Sequence, residues 1–152
     1  TDRRSFEDWN PESFRIIQNE GRGLLSQGTH EWKDYCVRAP FTPHLCEAGG
    51  LAARVGGLRR YYALLLCRED KARLVKMLDS ETVLAEADFH WEFGKSYDLS
   101  LQVNGNRLVG SIDGQVLFDL EDTDQPLEGG AIGLVCEEGR VAFEQVAVEP
   151  VS

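Results

Sequence analysis

Positive charge is scarce in this chain. Lys and Arg number 16 against 26 Asp and Glu, a formal net charge of −10 with a pI near 4.7. A surface of that sign repels phosphate backbones and anionic headgroups, so neither nucleic acid nor a membrane is expected as a partner. Long apolar runs are missing as well. The longest, Ala63-Leu64-Leu65-Leu66-Cys67, has the length of a buried strand and falls far short of the ~20 residues that cross a bilayer. No Cys-x-x-Cys occurs among Cys36, Cys46, Cys67 and Cys136. Three of these sit in apolar stretches and read as buried reduced thiols; a disulfide pair stays open, because connectivity is not readable from sequence. No Gly-x-Ser-x-Gly is present. Gly21-Arg22-Gly23 and Gly49-Gly50 lead into no helix start, so they read as turns and not phosphate cradles. His44 and Cys46 lie close together, but zinc takes four ligands and no second pair is spaced to complete the set.

What is present is globular. The 152 residues are 42% hydrophobic and 28% charged, enough for one domain with its own core. The chain opens on Thr1 with no charged-then-apolar signal segment, and Asp2-Arg3-Arg4 reads as a cut point. The expectation is a single domain, 1–152, excised from a longer protein. Reduced thiols and the missing signal favour the cytoplasm.

The hydrophobic period is two through most of the sequence. Residues 14–19 form a first short apolar strand, and Leu24-Leu25 begins a second after the glycine turn. Residues 97–103 alternate most cleanly, with Tyr97, Leu99, Leu101 and Val103 on one face and Asp98, Ser100 and Gln102 on the other. Asn104-Gly105-Asn106 and Asp113-Gly114 are tight-turn sequences that tolerate positive φ. Residues 69–78 have some helical propensity but alternate too well to be helical. About a dozen short strands with turn punctuation every ~8–12 residues predict an all-β fold, an antiparallel two-sheet β-sandwich.

Five stretches resemble the concanavalin A-like jelly roll, in its laminin-G-like branch: Trp32-Lys33-Asp34-Tyr35; Gly50-Leu51-Ala52-Ala53-Arg54 before Arg60-Tyr61-Tyr62-Ala63-Leu64; residues 97–103 followed by Ile112-Asp113-Gly114; Gly130-Ala131-Ile132-Gly133-Leu134; and Arg140-Val141-Ala142-Phe143 leading to Val146-Ala147-Val148. Residues 29–149 also resemble the β-rich C-terminal extension of some bacterial ADP-ribosylglycohydrolase-family proteins. That resemblance implies an upstream catalytic domain of the same chain, helical and magnesium-binding. It implies no catalytic residue here, since nothing in this strand-rich sequence matches the catalytic unit.

Three chemistries follow. The first is sugar binding. A pyranose has an apolar C–H face and a rim of hydroxyls, so its site needs an aromatic side chain and a few rigid polar groups. Strict alternation places Arg54, Tyr61, Gln102, Asn104, Ser111 and Asp113 opposite the core residues of their strands, with Trp91 in a polar loop. If the strands adjoin, these residues line one concave groove for a carbohydrate or an ADP-ribosyl-like ligand. The expected role is then a non-catalytic accessory module of a glycohydrolase-type enzyme, the alternative being a structural or interaction domain. The second chemistry is a structural calcium ion, with Glu7, Asp8 and Glu144 as candidate ligands; no other cofactor is expected. The acidic stretch Glu121, Asp122 and Asp124 lacks the spacing of a calcium loop. The third is glycoside hydrolysis at Glu86, Asp88 and Glu92. In a regular strand Asp88 and Glu92 stand ~13 Å apart between Cα atoms, against the ~5–5.5 Å between carboxyl groups that a retaining mechanism uses. A solvated acidic edge is the simpler reading.

Overall fold

The computed structural model describes residues 14–27 and 32–151. Among them there is no helix. Eleven strands follow in chain order: β1 (Phe14–Gln27), β2 (Tyr35–Leu45), β3 (Ala48–Gly57), β4 (Arg60–Cys67), β5 (Lys71–Leu78), β6 (Ser80–Asp88), β7 (Tyr97–Asn104), β8 (Arg107–Ile112), β9 (Gln115–Glu121), β10 (Ala131–Phe143) and β11 (Ala147–Pro150). Every pairing is antiparallel, and the hydrogen-bonded order is β6-β5-β4-β3-β10-β2-β7-β8-β9, with β1 on β10 and β11 on β2.

This array becomes two sheets because β10 belongs to both. Its residues 131–137 pair with β3, and its residues 140–143 pair with β2. Only Cys46 and Glu47 separate β2 from β3, so the two strands act as one bent partner that turns the corner beside β10. Gly139 marks the bend: a Cβ there would lie 1.7 Å from the Leu45 carbonyl oxygen, so only glycine lets the strands come this close. The array then folds over itself and faces β3–β6 against β2 and β7–β9.

The inward residues form one core. Tyr35, Val37, Ala39 and Phe41 of β2 meet Leu99, Leu101 and Val103 of β7, and Leu51, Ala53, Tyr62, Leu64 and Leu74 close from the other sheet. A Cβ on Gly110 would lie 3.2 Å from Leu64 Cδ1, so β8 leaves room for a leucine of the opposite sheet. The alternation read from 97–103 is the alternation observed, and the two-sheet architecture is confirmed.

The outer face of β3–β4–β5–β10 carries a second apolar layer: Ala52, Tyr61, Ala63, Leu65, Val75 and Val135 are all buried there. Strands β3 and β4 are thus dry on both faces, which is why their sequences read as near-continuous apolar runs instead of alternating. Their backbones pack tightly, since a Cβ on Gly50 would sit 1.9 Å from the Leu64 carbonyl oxygen.

The start of the chain corrects one expectation. Residues 14–27 form a single strand with a register shift between Gln18 and Arg22, not two strands around a glycine turn. The glycines there serve an irregularity in pairing with β10. None of the four cysteines forms a disulfide; Cys46, Cys67 and Cys136 are buried and Cys36 is half-buried. Burial pushes the Cys46 thiol up to about 12.

Candidate functional site

At the pole of the sandwich where β3 turns into β4, the pairing of those two strands shifts between Ala53 and Gly57. Arg54 occupies the irregularity with φ 52°, a left-handed conformation that costs a non-glycine residue on the order of 1 kcal/mol. The bulge turns Arg54 inward, and its side chain is 1% exposed. Two sets of hydrogen bonds hold it. Its backbone N–H donates to Tyr35 Oη at 2.6 Å, and the Tyr35 hydroxyl donates on to the Gly130 carbonyl at 2.9 Å. Burial raises the Tyr35 pKa far above the ordinary phenol value, which keeps that hydrogen in place.

The guanidinium then ties loops together. Nε donates to the Lys33 carbonyl at 3.0 Å, and Nη1 donates to the Leu127 carbonyl at 2.7 Å and to the Gly105 carbonyl. Nη2 donates to Asp34 Oδ1 at 2.9 Å, and the same oxygen accepts the Gly105 N–H at 2.9 Å. The segment before β2, the β3 bulge, the β7–β8 turn and the loop before β10 therefore meet on one cation. A cavity of about 350 Å³ opens at this junction, its walls including Lys33, Asp34, Arg54, Asn106, Pro126 and Glu128. That volume falls within the range of small-molecule sites.

The loop before β10 is fixed from below. Tyr62 Oη accepts the Leu127 N–H at 2.9 Å and donates to Asp122 Oδ2 at 2.6 Å. Lys76 Nζ lies 2.7 Å from Asp122 Oδ2, and donates to the carbonyls of Asp124 and, at 2.8 Å, of Gln125. Burial alone would raise the Asp122 pKa. The hydrogen bonds from Lys76, Tyr62 and the Asp124 N–H outweigh that and hold it below the ordinary carboxylate value.

The structure does not bring the sequence-predicted residues into one groove. Arg54 lines the polar cavity but faces inward. Asn104 starts the adjacent turn, and the turn residues that line the cavity are Gly105 and Asn106. Gln102 and Ser111 lie on the outer face of the β2–β7–β8 sheet, Gln102 opposite Cys36 and Val109, and Ser111 opposite Ser100. Asp113 locks the β8–β9 turn, its Oδ1 accepting the Asp98 N–H at 2.8 Å. Tyr61 is 1% exposed in the apolar layer of the other sheet. Trp91 stands near the opposite pole, largely buried, with its indole N–H donating to the Cys67 carbonyl at 2.7 Å. A second depression lies there, a cavity of about 180 Å³ beside Trp91 and Phe93 and one of about 300 Å³ beside Glu47 and Arg73, both lined by Arg68 and Glu69. No single groove forms because Tyr61 lies on the outer face of one sheet and Gln102 and Ser111 on that of the other, Trp91 stands near the opposite pole, and the bulge in β3 turns Arg54 inward.

The metal and catalytic readings fare as follows. Glu7 and Asp8 lie outside the described residues. Glu144 is exposed, and its N–H donates to the Pro40 carbonyl at 3.0 Å. Among the described residues no group of three or more His, Cys, Asp or Glu side chains is placed to hold a metal ion. Glu86 Oε2 accepts from Arg73 Nε at 2.6 Å, and Asp88 pairs with Lys71. Both carboxylates belong to ion pairs on the outermost strand, β6, and Glu92 lies beyond its end.

No family model matches the chain, and no curated protein matches it. Solved structures do. The carbohydrate-binding module CBM66 from Bacillus subtilis superposes with a TM-score of 0.76 at 20% identity, covering 87% of this chain and 84% of that one. The Caenorhabditis elegans galectin LEC-6 gives 0.63 at 13% identity, covering 89% and 95%. The fold is a galectin-like β-sandwich. The jelly-roll expectation is therefore met at the level of architecture. The same galectin-like sandwich also matches part of a longer protein, the GH43 protein BlXynB from Bacillus licheniformis, with a TM-score of 0.67 at 14% identity over 91% of this chain and 33% of that one.

Sequence reasoning missed most of the polar cavity. Asp34 carries no signal beyond its place in the stretch Trp32-Lys33-Asp34-Tyr35, and Pro126 and Glu128 carry none. Besides Arg54, the turn at Asn104-Gly105-Asn106 is a usable signal, because a tight turn presents its backbone at a pole of the sandwich.

Proposed function

We propose that this domain is a carbohydrate-binding module whose ligand occupies the polar cavity against Arg54 and Asp34. The observation that carries the reading is a fully buried guanidinium, fixed by four loop contacts, beside a carboxylate whose side chain is 41% exposed, at the mouth of a cavity with a proline wall. Fixed donors and acceptors next to an apolar surface are what a hydroxyl-rimmed ring requires. Holding them rigid before binding removes the cost of ordering them. The likeness to a carbohydrate-binding module and to a galectin supports the same reading.

We extend this to an accessory role beside a glycohydrolase-type domain. The match to one third of the longer GH43 chain supports it, as does the resemblance to the ADP-ribosylglycohydrolase extension. An ADP-ribosyl ligand belongs to the same proposal, because Lys33 lines the cavity and its ammonium suits a diphosphate.

Trp32 stacks edge-on against Tyr35 with ring centroids 6.1 Å apart, two residues from Asp34, so its fluorescence reports on the cavity. Titration with a glycan panel and with ADP-ribose is expected to change the Trp emission, and Asp34→Ala to weaken the response about tenfold or more. No change with any of them at millimolar concentration would overturn the reading.

A further inference from the structure

We infer that the Arg54–Asp34 pair reads a vicinal diol, two hydroxyls on neighbouring ring carbons; this rests on the carbohydrate reading above. A guanidinium has five N–H donors. Four are used here: Nε on Lys33, both Nη1 hydrogens on Gly105 and Leu127, and one Nη2 hydrogen on Asp34 Oδ1. The second Nη2 hydrogen has no protein acceptor among the described residues. Asp34 is matched in the opposite sense. Its Oδ1 takes both Arg54 Nη2 and the Gly105 N–H, while its Oδ2 takes no protein donor among the described residues.

The pair is therefore one-pronged. A two-pronged guanidinium–carboxylate contact would use both oxygens on the arginine and leave the carboxylate little to offer a ligand. Here one donor remains on the buried guanidinium and one acceptor on the half-exposed carboxylate, side by side at the cavity. One hydroxyl of a diol accepts from Nη2, and its neighbour donates to Oδ2. A lone hydroxyl satisfies one partner and leaves the other unpaired beneath the ligand, which is costly for a charged group. The four other bonds of Arg54 prevent it from turning to follow a different ligand.

Two ligand sources carry this chemistry: a glycan with free adjacent hydroxyls, and the ribose of an ADP-ribosyl group. The test uses ¹⁵N-labelled protein and follows the side-chain Nε–H resonance of Arg54. The probes are methyl ribofuranoside with its 2-deoxy counterpart, methyl mannopyranoside with its 3-deoxy counterpart, neither of which keeps hydroxyls on neighbouring carbons, and ADP-ribose. The diol compounds are expected to shift that resonance and to bind about tenfold more tightly than their deoxy counterparts. In Asp34→Asn, which keeps an oxygen for Gly105 and Arg54 but replaces the outer acceptor by a donor, that preference is expected to disappear while the melting temperature holds. Tighter binding of ADP-ribose than of methyl ribofuranoside supports the diol with the diphosphate seated on Lys33, and equal binding supports the diol alone. Equal affinity for diol and deoxy partners overturns the inference and leaves the carbohydrate reading standing. Failure of every probe to move the Arg54 resonance at millimolar concentration overturns both.

Discussion

Tyr62 and Asp122 are joined by a 2.6 Å hydrogen bond, and through it a core tyrosine of β4 controls a loop at the pole. The same hydroxyl accepts the N–H of Leu127, and the carbonyl of Leu127 in turn accepts from Arg54. Tyr62→Phe removes both hydroxyl contacts and leaves two buried groups short of a partner. The expected loss in denaturant unfolding is ~1–3 kcal/mol, with a weaker response to ligand because Leu127 no longer fixes the guanidinium.

Lys76 and Asp122 form a buried pair. Lys76→Met leaves the Asp122 carboxylate without its cation and frees two loop carbonyls. Removing one partner of such a pair costs ~3–5 kcal/mol, readable as a lower midpoint in urea. The double variant Lys76→Met with Asp122→Leu is expected to recover part of this, since no charge then stays buried.

The Asp122 pKa gives the domain an acid limit. It is lowered in the folded state from an ordinary value of 3.8. A lowered carboxylate contributes stability that is fully present above the unfolded value and is lost as pH falls through the folded one. Stability measured from pH 5 downward should therefore begin to fall near pH 4 and continue falling below it. Asp122→Asn should flatten that slope. Asp88 and Asp119 are also lowered, by Lys71 and Arg107, but these pairs are exposed and screened, so their share falls away in added salt.

Cys46 is buried and its thiol is pushed up to about 12. The thiolate is the reactive form, so iodoacetamide at pH 8 should leave Cys46 unmodified in the native protein and label it after unfolding in urea. Mass spectrometry of the digested protein reads this directly. Labelling of Cys46 in the native state would show that the corner opens.

Much of the fold was legible because alternation is a backbone property: Tyr97, Leu99, Leu101 and Val103 could only face one way, and Asn104-Gly105 could only turn. Of the seven candidate ligand-binding residues, Arg54 alone lines the polar cavity. Alternation places Arg54 on the outer face, opposite Leu51, Ala53 and Val55, yet the bulge that turns it inward leaves no trace in the residue types around it. Tyr61 was read as facing away from the main core, correctly, but its burial in a second layer depends on contacts distant in sequence. Asp34 and Leu127 matter through single atoms, an oxygen and a carbonyl, and no residue pattern announces which atom of a loop will meet a guanidinium.

Because β10 is stitched into both sheets, with Gly139 at the bend between them, neither half has a boundary at which it could come apart alone. Heat or denaturant should release the whole domain in one step. An occupant at the far tip, resting on the loop that feeds this strand, would then lend its binding energy to every layer at once.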